Sequence, residues 1–248
     1  MSPTTIPGNL ILKNEMVEAD PFFNNVSLLL HGDGANGSTT IVDSSPSPKT
    51  VTAFGDAQIS TAQSKFGGSS LAFDGTNDYL SIPSNGAFNF GTGDFTIEAW
   101  IRLNALGSTD AYPGALWIVG WGIQNSNTGF DFAIGSTALI FSLTDFATPT
   151  IRAAHGLSVN TWYHIAGTRS GTTVRTFIDG QVLATATVSA ALVASTNPTG
   201  IAVSAAEPTG SIFGNFNGYI DDLRITKGVA RYTANFTPPA APFPEVLG

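Results

Sequence analysis

Residues 94–103 read Asp-Phe-Thr-Ile-Glu-Ala-Trp-Ile-Arg-Leu. Phe95, Ile97, Ala99, Ile101 and Leu103 fall at every second place, with Thr96, Glu98, Trp100 and Arg102 between them. A strand turns successive side chains to opposite faces, so this stretch predicts a β-strand with one apolar and one mixed face. Similar short runs lie on either side of it. Before it are residues 26–30, 39–42, 50–54, 70–73 and 79–82. After it come 116–121, 130–134, 139–143, 162–168, 174–178, 182–187, 201–204, 211–213 and 219–226. The runs 174–178 and 182–187 are joined by Asp179-Gly180, a pair suited to the positive φ angles of a type I′ hairpin turn. No stretch holds a 3.6-residue period long enough for a regular helix. Many short strands spaced by turn residues predict an all-β, two-sheet antiparallel jelly-roll sandwich.

Composition narrows the chemistry. The chain has 248 residues, 18 acidic against 10 basic side chains, a net charge of -8 and no cysteine. Without cysteine there is no disulfide scaffold, thiol nucleophile or cysteine zinc site. So few basic residues leave no electrostatic footprint for nucleic acid. No window approaches the roughly 20 apolar residues of a membrane span. Residues 1–20 lack a basic segment ahead of an apolar one, which reads as a protein folded in a cytoplasm.

The length suits one large all-β domain. Residues 1–25, without alternation and closed at Pro21, read as an N-terminal arm; residues 26–231 hold the strands; residues 232–248, with Pro238, Pro239, Pro242 and Pro244, read as a proline-rich tail. Such a tail cannot continue a sheet and either wraps the surface or leaves the domain.

Five segments in order resemble the laminin-G-like, concanavalin A-like jelly-roll family. They are Ser70-Leu71-Ala72-Phe73-Asp74-Gly75 with Asp78-Tyr79-Leu80, then 95–101, Trp162-Tyr163-His164-Ile165-Ala166, Phe177-Ile178-Asp179-Gly180 and 218–225. Residues 26–34 with Asp43-Ser44-Ser45, and residues 226–239, are similar to the opening and ending of such domains in tailed-phage virion proteins. That resemblance implies a virion structural protein: a capsid decoration or an appendage. It also implies a structural calcium between an early loop and an acid of the final strand, here Asp43 and Asp222.

No catalytic residue is assigned. Retaining glycosidases need two carboxyl groups about 5–5.5 Å apart, which on one strand means acids at alternate positions. Glu98 is followed at those positions by Trp100 and Arg102, and the adjacent Asp221 and Asp222 point to opposite faces. His164 reads as a satisfied sheet histidine. Asp74-Gly75-Thr76-Asn77-Asp78 fails the spacing of a calcium loop and reads as a capped turn. Trp117 and Trp121, four apart in one strand, would share a face, and an exposed Trp121 could stack on a sugar; Trp100 and Trp162 read as packing residues.

The leading expectation is therefore a non-enzymatic virion structural protein of a tailed phage. It would be a homo-oligomer held to other virion proteins through its arm and tail, without nucleic-acid or membrane partners. The alternative is an adhesin that binds host surface glycans, and a glycoside hydrolase stands third.

Overall fold

The computed structural model describes residues 19–111, 114–123, 128–143, 149–203 and 216–246. Two antiparallel sheets account for the regular structure, and the helical turns among the described residues are two short 3-10 segments, Phe23–Asn25 and Gly86–Phe88.

The strands are β1 (Val26–Leu30), β2 (Thr52–Phe54), β3 (Gln58–Ser60), β4 (Ser70–Asp74), β5 (Tyr79–Ile82), β6 (Phe95–Leu103), β7 (Leu116–Ile123) and β8 (Thr128–Ile134). After them come β9 (Ala138–Ser142), β10 (Ile151–Ala154), β11 (Trp162–Ser170), β12 (Thr173–Ile178), β13 (Gln181–Thr187), β14 (Thr199–Ile201) and β15 (Asn217–Lys227). The larger sheet runs β13-β12-β11-β6-β15-β4-β3, with β1 also paired to β15. The smaller runs β10-β9-β8-β7-β14-β5-β2.

The all-β sandwich expected from the sequence is the fold observed. Asp179 (φ 46°) and Gly180 (φ 74°) both sit in the left-handed region, as the hairpin between β12 and β13 requires. Differences are local. Residues 39–42 make only an isolated bridge, Ile41 to Val51, and β3 and β10 are short strands with little alternation to announce them. The expected strand at 211–213 lies outside the described residues.

The core fills the space between the sheets. Phe95, Ile97, Ile101, Leu223 and Ile225 meet Trp121, Phe130, Phe132 and Phe141, all buried. Apolar area removed from water contributes roughly 25 cal/mol per Å², so this aromatic-rich layer supplies most of the stabilisation. The mixed face of β6 is buried as well, because the C-terminal segment, here called the strap, crosses it. The Arg231 amide donates to Thr96 Oγ1, Thr168 Oγ1 donates to the Tyr232 carbonyl, the Phe236 amide to Gly180 O, and the Phe243 amide to Asp222 Oδ2. Phe243 is buried against Val26 and Leu29, and the Asp20 amide donates to Val246 O at 2.8 Å. Of the two readings of the tail, wrapping the surface is the one observed through Val246: prolines bar it from the ladder but not from lying across a sheet face.

Candidate functional site

Asp43 and Asp222, expected to hold calcium, have their oxygens committed to protein donors. Asp43 Oδ1 accepts from the amides of Leu29 and Ser45, and Oδ2 from Ser45 Oγ and the Lys49 amide, with Lys49 Nζ 3.7 Å away. Asp222 Oδ1 pairs with His31 Nδ1, and Oδ2 accepts the Phe243 amide at 2.7 Å. A calcium site needs six to eight free oxygens around one point. Carboxylates saturated by N–H groups, one beside an ammonium, do not fit the ion. Among the described residues no cluster of three acidic or imidazole groups has the arrangement of a metal site.

Glu98 lies fully buried under the strap. Its Oε1 accepts from Arg224 Nε at 3.0 Å and Nη2 at 2.8 Å, while Oε2 accepts the Tyr232 hydroxyl at 2.7 Å and lies 3.2 Å from His164 Nε2. Asp20 bridges Arg224 and Arg231 on the far side. Burial pushes the Glu98 pKa up, but the Arg224 and His164 contacts outweigh it and hold the carboxyl at about 2. This glutamate is a permanently charged structural hub with neither a proton nor a lone pair to offer a substrate.

Trp121 is 1% exposed and packs on Phe130 in the core, so its indole has no face for a sugar. The expectation that Trp121 binds glycan is corrected. Trp117 does not share its face either. A β-bulge between Trp117 and Val119 adds a residue to β7 and reverses the alternation. Trp117 therefore lies on the outer face of the smaller sheet, packed with Ala133 and Ile140. There its Nε1 donates to Asp131 Oδ1 at 3.2 Å. Burial raises the Asp131 carboxyl to about 7, only partly opposed by that hydrogen bond. A lone aspartate in an apolar-looking strand gave no signal in the sequence; its burial follows from the bulge.

The outer face of the larger sheet is open at the end the strap leaves uncovered. Gln58, Ala72, Tyr219, Arg102 and Trp162 are consecutive partners across β3, β4, β15, β6 and β11, so they form one outward row. Around Tyr219 is an open cleft of about 460 Å³, lined also by Asn36, Asp56, Gln58, Asp74, Asp78 and Asn104. The Arg102 guanidinium sits 5.7 Å from the Tyr219 ring centre and donates to Asn104 Oδ1 at 3.2 Å.

The cleft wall is the turn 74–78, and its predicted capping is present. The Thr76 amide donates to Asp74 Oδ1, and buried Asp78 accepts from the Asp56 and Asp74 amides at 2.5 and 2.9 Å. Asp78 is thus rigid, while Asp56, Asp74, Asn36 and Asn104 are exposed. A half-buried aromatic ring framed by amides and carboxylates can pair with hydroxyls while its π face takes an apolar C–H surface. Sequence reasoning missed this site because its residues come from five separate segments.

The family model described as the concanavalin A-like lectin/glucanases superfamily matches residues 74–231, more than half of the chain. The chain belongs to that superfamily. No curated protein matches it. Among solved structures, the binding domain of Paraclostridial Mosquitocidal Protein 1 superposes with a TM-score of 0.61 at 18% identity, covering 84% of this chain and 50% of that one. A botulinum neurotoxin type C structure, whose description ties cell entry to interaction with two ganglioside molecules, gives 0.60 at 22% identity, covering 84% and 49%. The botulinum neurotoxin serotype G binding domain gives 0.60 at 15% identity, covering 83% and 49%. The chain spans about half the length of these structures, and at such identities the likeness is one of fold. Two of these three neighbours are described as binding domains.

Proposed function

We propose that this domain is a non-enzymatic, lectin-like module that binds glycan in the Tyr219 cleft. The observation that carries the reading is the cleft itself: a half-buried aromatic ring with side-chain oxygens and amides placed around it. The superfamily and the receptor-binding neighbours support it. Glu98 is buried in ion pairs that hold its carboxyl pKa at about 2, so it has no proton to hand to a leaving group.

A glycan array followed by titration calorimetry tests this. Saturable binding is expected, and Tyr219→Ala should weaken it by roughly tenfold or more, as loss of a central aromatic contact does. An array without binders, or equal affinity in Tyr219→Ala, overturns the reading. Release of reducing sugar that disappears in Asp74→Asn would overturn its non-enzymatic part.

The setting we propose is display on a tailed-phage particle. The motifs resembling virion proteins, at 26–34 and 226–239, adjoin in the fold, where Val26 stands opposite Thr226. Mass spectrometry of purified particles tests it: absence of this chain sinks the setting, and its copy number separates head decoration from tail appendage.

A further inference from the structure

The outward row that crosses the cleft continues past it. Tyr219 stands opposite Arg102, and Arg102 opposite Trp162, so the three are neighbours on the consecutive strands β15, β6 and β11. Trp162 lies on the same outer face as the cleft, because His164, two residues further along β11, meets Glu98 and Trp100 there. Neighbouring strands lie about 4.8 Å apart, which puts the backbones of Tyr219 and Trp162 roughly 10 Å apart with Arg102 between them. Trp162 is half-buried, and among the described residues it has neither a hydrogen bond nor a ring partner. Packing, the role expected of it, leaves part of its indole at the surface.

Charge is unevenly placed along this row. Lys65 Nζ lies 3.7 Å from the ring centre of Trp100, the outward residue next to Arg102 along β6. Neither Arg102 nor Lys65 is in an ion pair among the described residues, and Arg102 commits only one N–H, to Asn104. Asp221, opposite Trp100, is buried with one oxygen on the Lys65 and Phe66 amides, and burial pushes its carboxyl up to about 7, which weakens its charge at neutral pH. The exposed acids of the cleft lie on the other side of Tyr219. Asp74 ends β4, which flanks β15 on the side away from β6, and Asp56 lies beyond it, before β3.

We propose that Tyr219, Arg102 and Trp162 form one extended subsite for a carboxylate-bearing sugar, a uronate or a sialate, with the carboxylate on Arg102 and pyranose C–H faces on the two rings. This rests on the glycan-binding reading of the cleft. A guanidinium presents its N–H groups in a planar fork that matches a carboxylate, and such charged hydrogen bonds are stronger than neutral ones. An aromatic ring on either side takes the flat C–H surface of a sugar. The placement of charge sets the direction of the ligand. Its carboxylate lies toward β6 and β11, and its hydroxyls toward Asp56, Asp74 and Asn104, whose oxygens accept their hydrogen bonds.

The test is calorimetry with oligogalacturonate and sialyllactose as the acidic probes, and with carboxyl-reduced oligogalacturonate and lactose as their neutral counterparts. In the wild-type protein one acidic probe should bind roughly tenfold or more tightly than its counterpart, as a hydrogen bond to a charged group allows, and the probe that does so identifies the source of the carboxylate. Arg102→Gln should abolish that preference and leave the neutral counterpart unchanged. Trp162→Leu, which keeps apolar bulk without a π face, should weaken the acidic probe by about fivefold or more, and Trp162→Phe should restore most of the loss. Binding of neither acidic probe, or equal or tighter binding of the neutral counterparts, overturns the carboxylate subsite on the wild-type protein alone while the cleft reading stands. An acid preference that persists in Arg102→Gln, or affinity unchanged in Trp162→Leu, overturns it as well. A glycan array without binders, or binding indifferent to Tyr219→Ala, overturns the cleft and the inference with it.

Discussion

Glu98 shows how one residue type can carry opposite meanings. In a jelly roll related to glucanases a glutamate on a strand invites a catalytic role, yet here it balances Arg224 in a site closed to water. Removing one partner of a buried ion pair typically costs about 3–5 kcal/mol, because the other charge stays buried without compensation. Glu98→Gln should therefore lower the melting temperature by on the order of 10 °C for a chain of this size, which calorimetry would read. A change within error would mean that the pair is dispensable. Asp131 behaves in the reverse sense. Its folded pKa of about 7 lies above the ordinary 3.8, so the folded state holds a proton that the unfolded chain releases. Stability is lost as pH rises from the ordinary value through about 7, and the loss is constant above that. Asp131→Asn keeps an acceptor for Trp117 and should stabilise the protein more at pH 8 than at pH 4; denaturant titrations at both values check it.

At the scale of elements, the strap and the β7 bulge decide what the strands expose. The strap's far end is held by His31, whose Nε2 lies 3.0 Å from Glu245 Oε1 and whose Nδ1 pairs with Asp222, the acceptor of the Phe243 amide. Burial pushes the His31 pKa down, but Asp222, Glu245 and Asp33 together raise it above 6.5. A raised histidine contributes its full stabilisation below the ordinary value and loses it as pH climbs through the raised one. Protection of the amides at 243–246, their exchange rates taken relative to the intrinsic base-catalysed rates, should accordingly fall from neutral to alkaline pH, and His31→Gln should flatten that dependence. Gly180 guards the other end, since a Cβ there would lie 2.0 Å from the Phe236 carbonyl. The alternation of 95–103 made β6 legible in the sequence, and Asp179-Gly180 did the same for the hairpin. The strap's docking was not legible: its contacts are scattered backbone bonds, the Arg231 and Tyr232 side-chain bonds and a few rings, which leave no period. The bulge was hidden for a related reason, as one inserted residue in Leu116–Ile123 looks like an ordinary apolar run.

For the whole molecule, sequence order carried the architecture because each of the five superfamily segments is also a structural necessity of the sheets. The cleft was not readable in that way, since Asn36, Asp56, Asp74, Asn104 and Tyr219 meet only after the sheets form. Asp43 and Asp222 illustrate the limit of resemblance: it implied a calcium site at these acids, but amides, a histidine and a lysine have taken their oxygens. Calcium or chelator should thus leave the melting temperature unchanged, and a rise of several degrees with millimolar calcium would refute the substitution.

The hydrogen bond from Asp20 to Val246 has a mechanical consequence. Polypeptide continuing in either direction departs from one spot beside the larger sheet. A pull applied through both flanks would load that junction first and peel the strap bond by bond, away from Phe243 toward Tyr232. The Tyr219 cleft is not lined by the strap, so peeling the strap would leave the residues of the cleft in place.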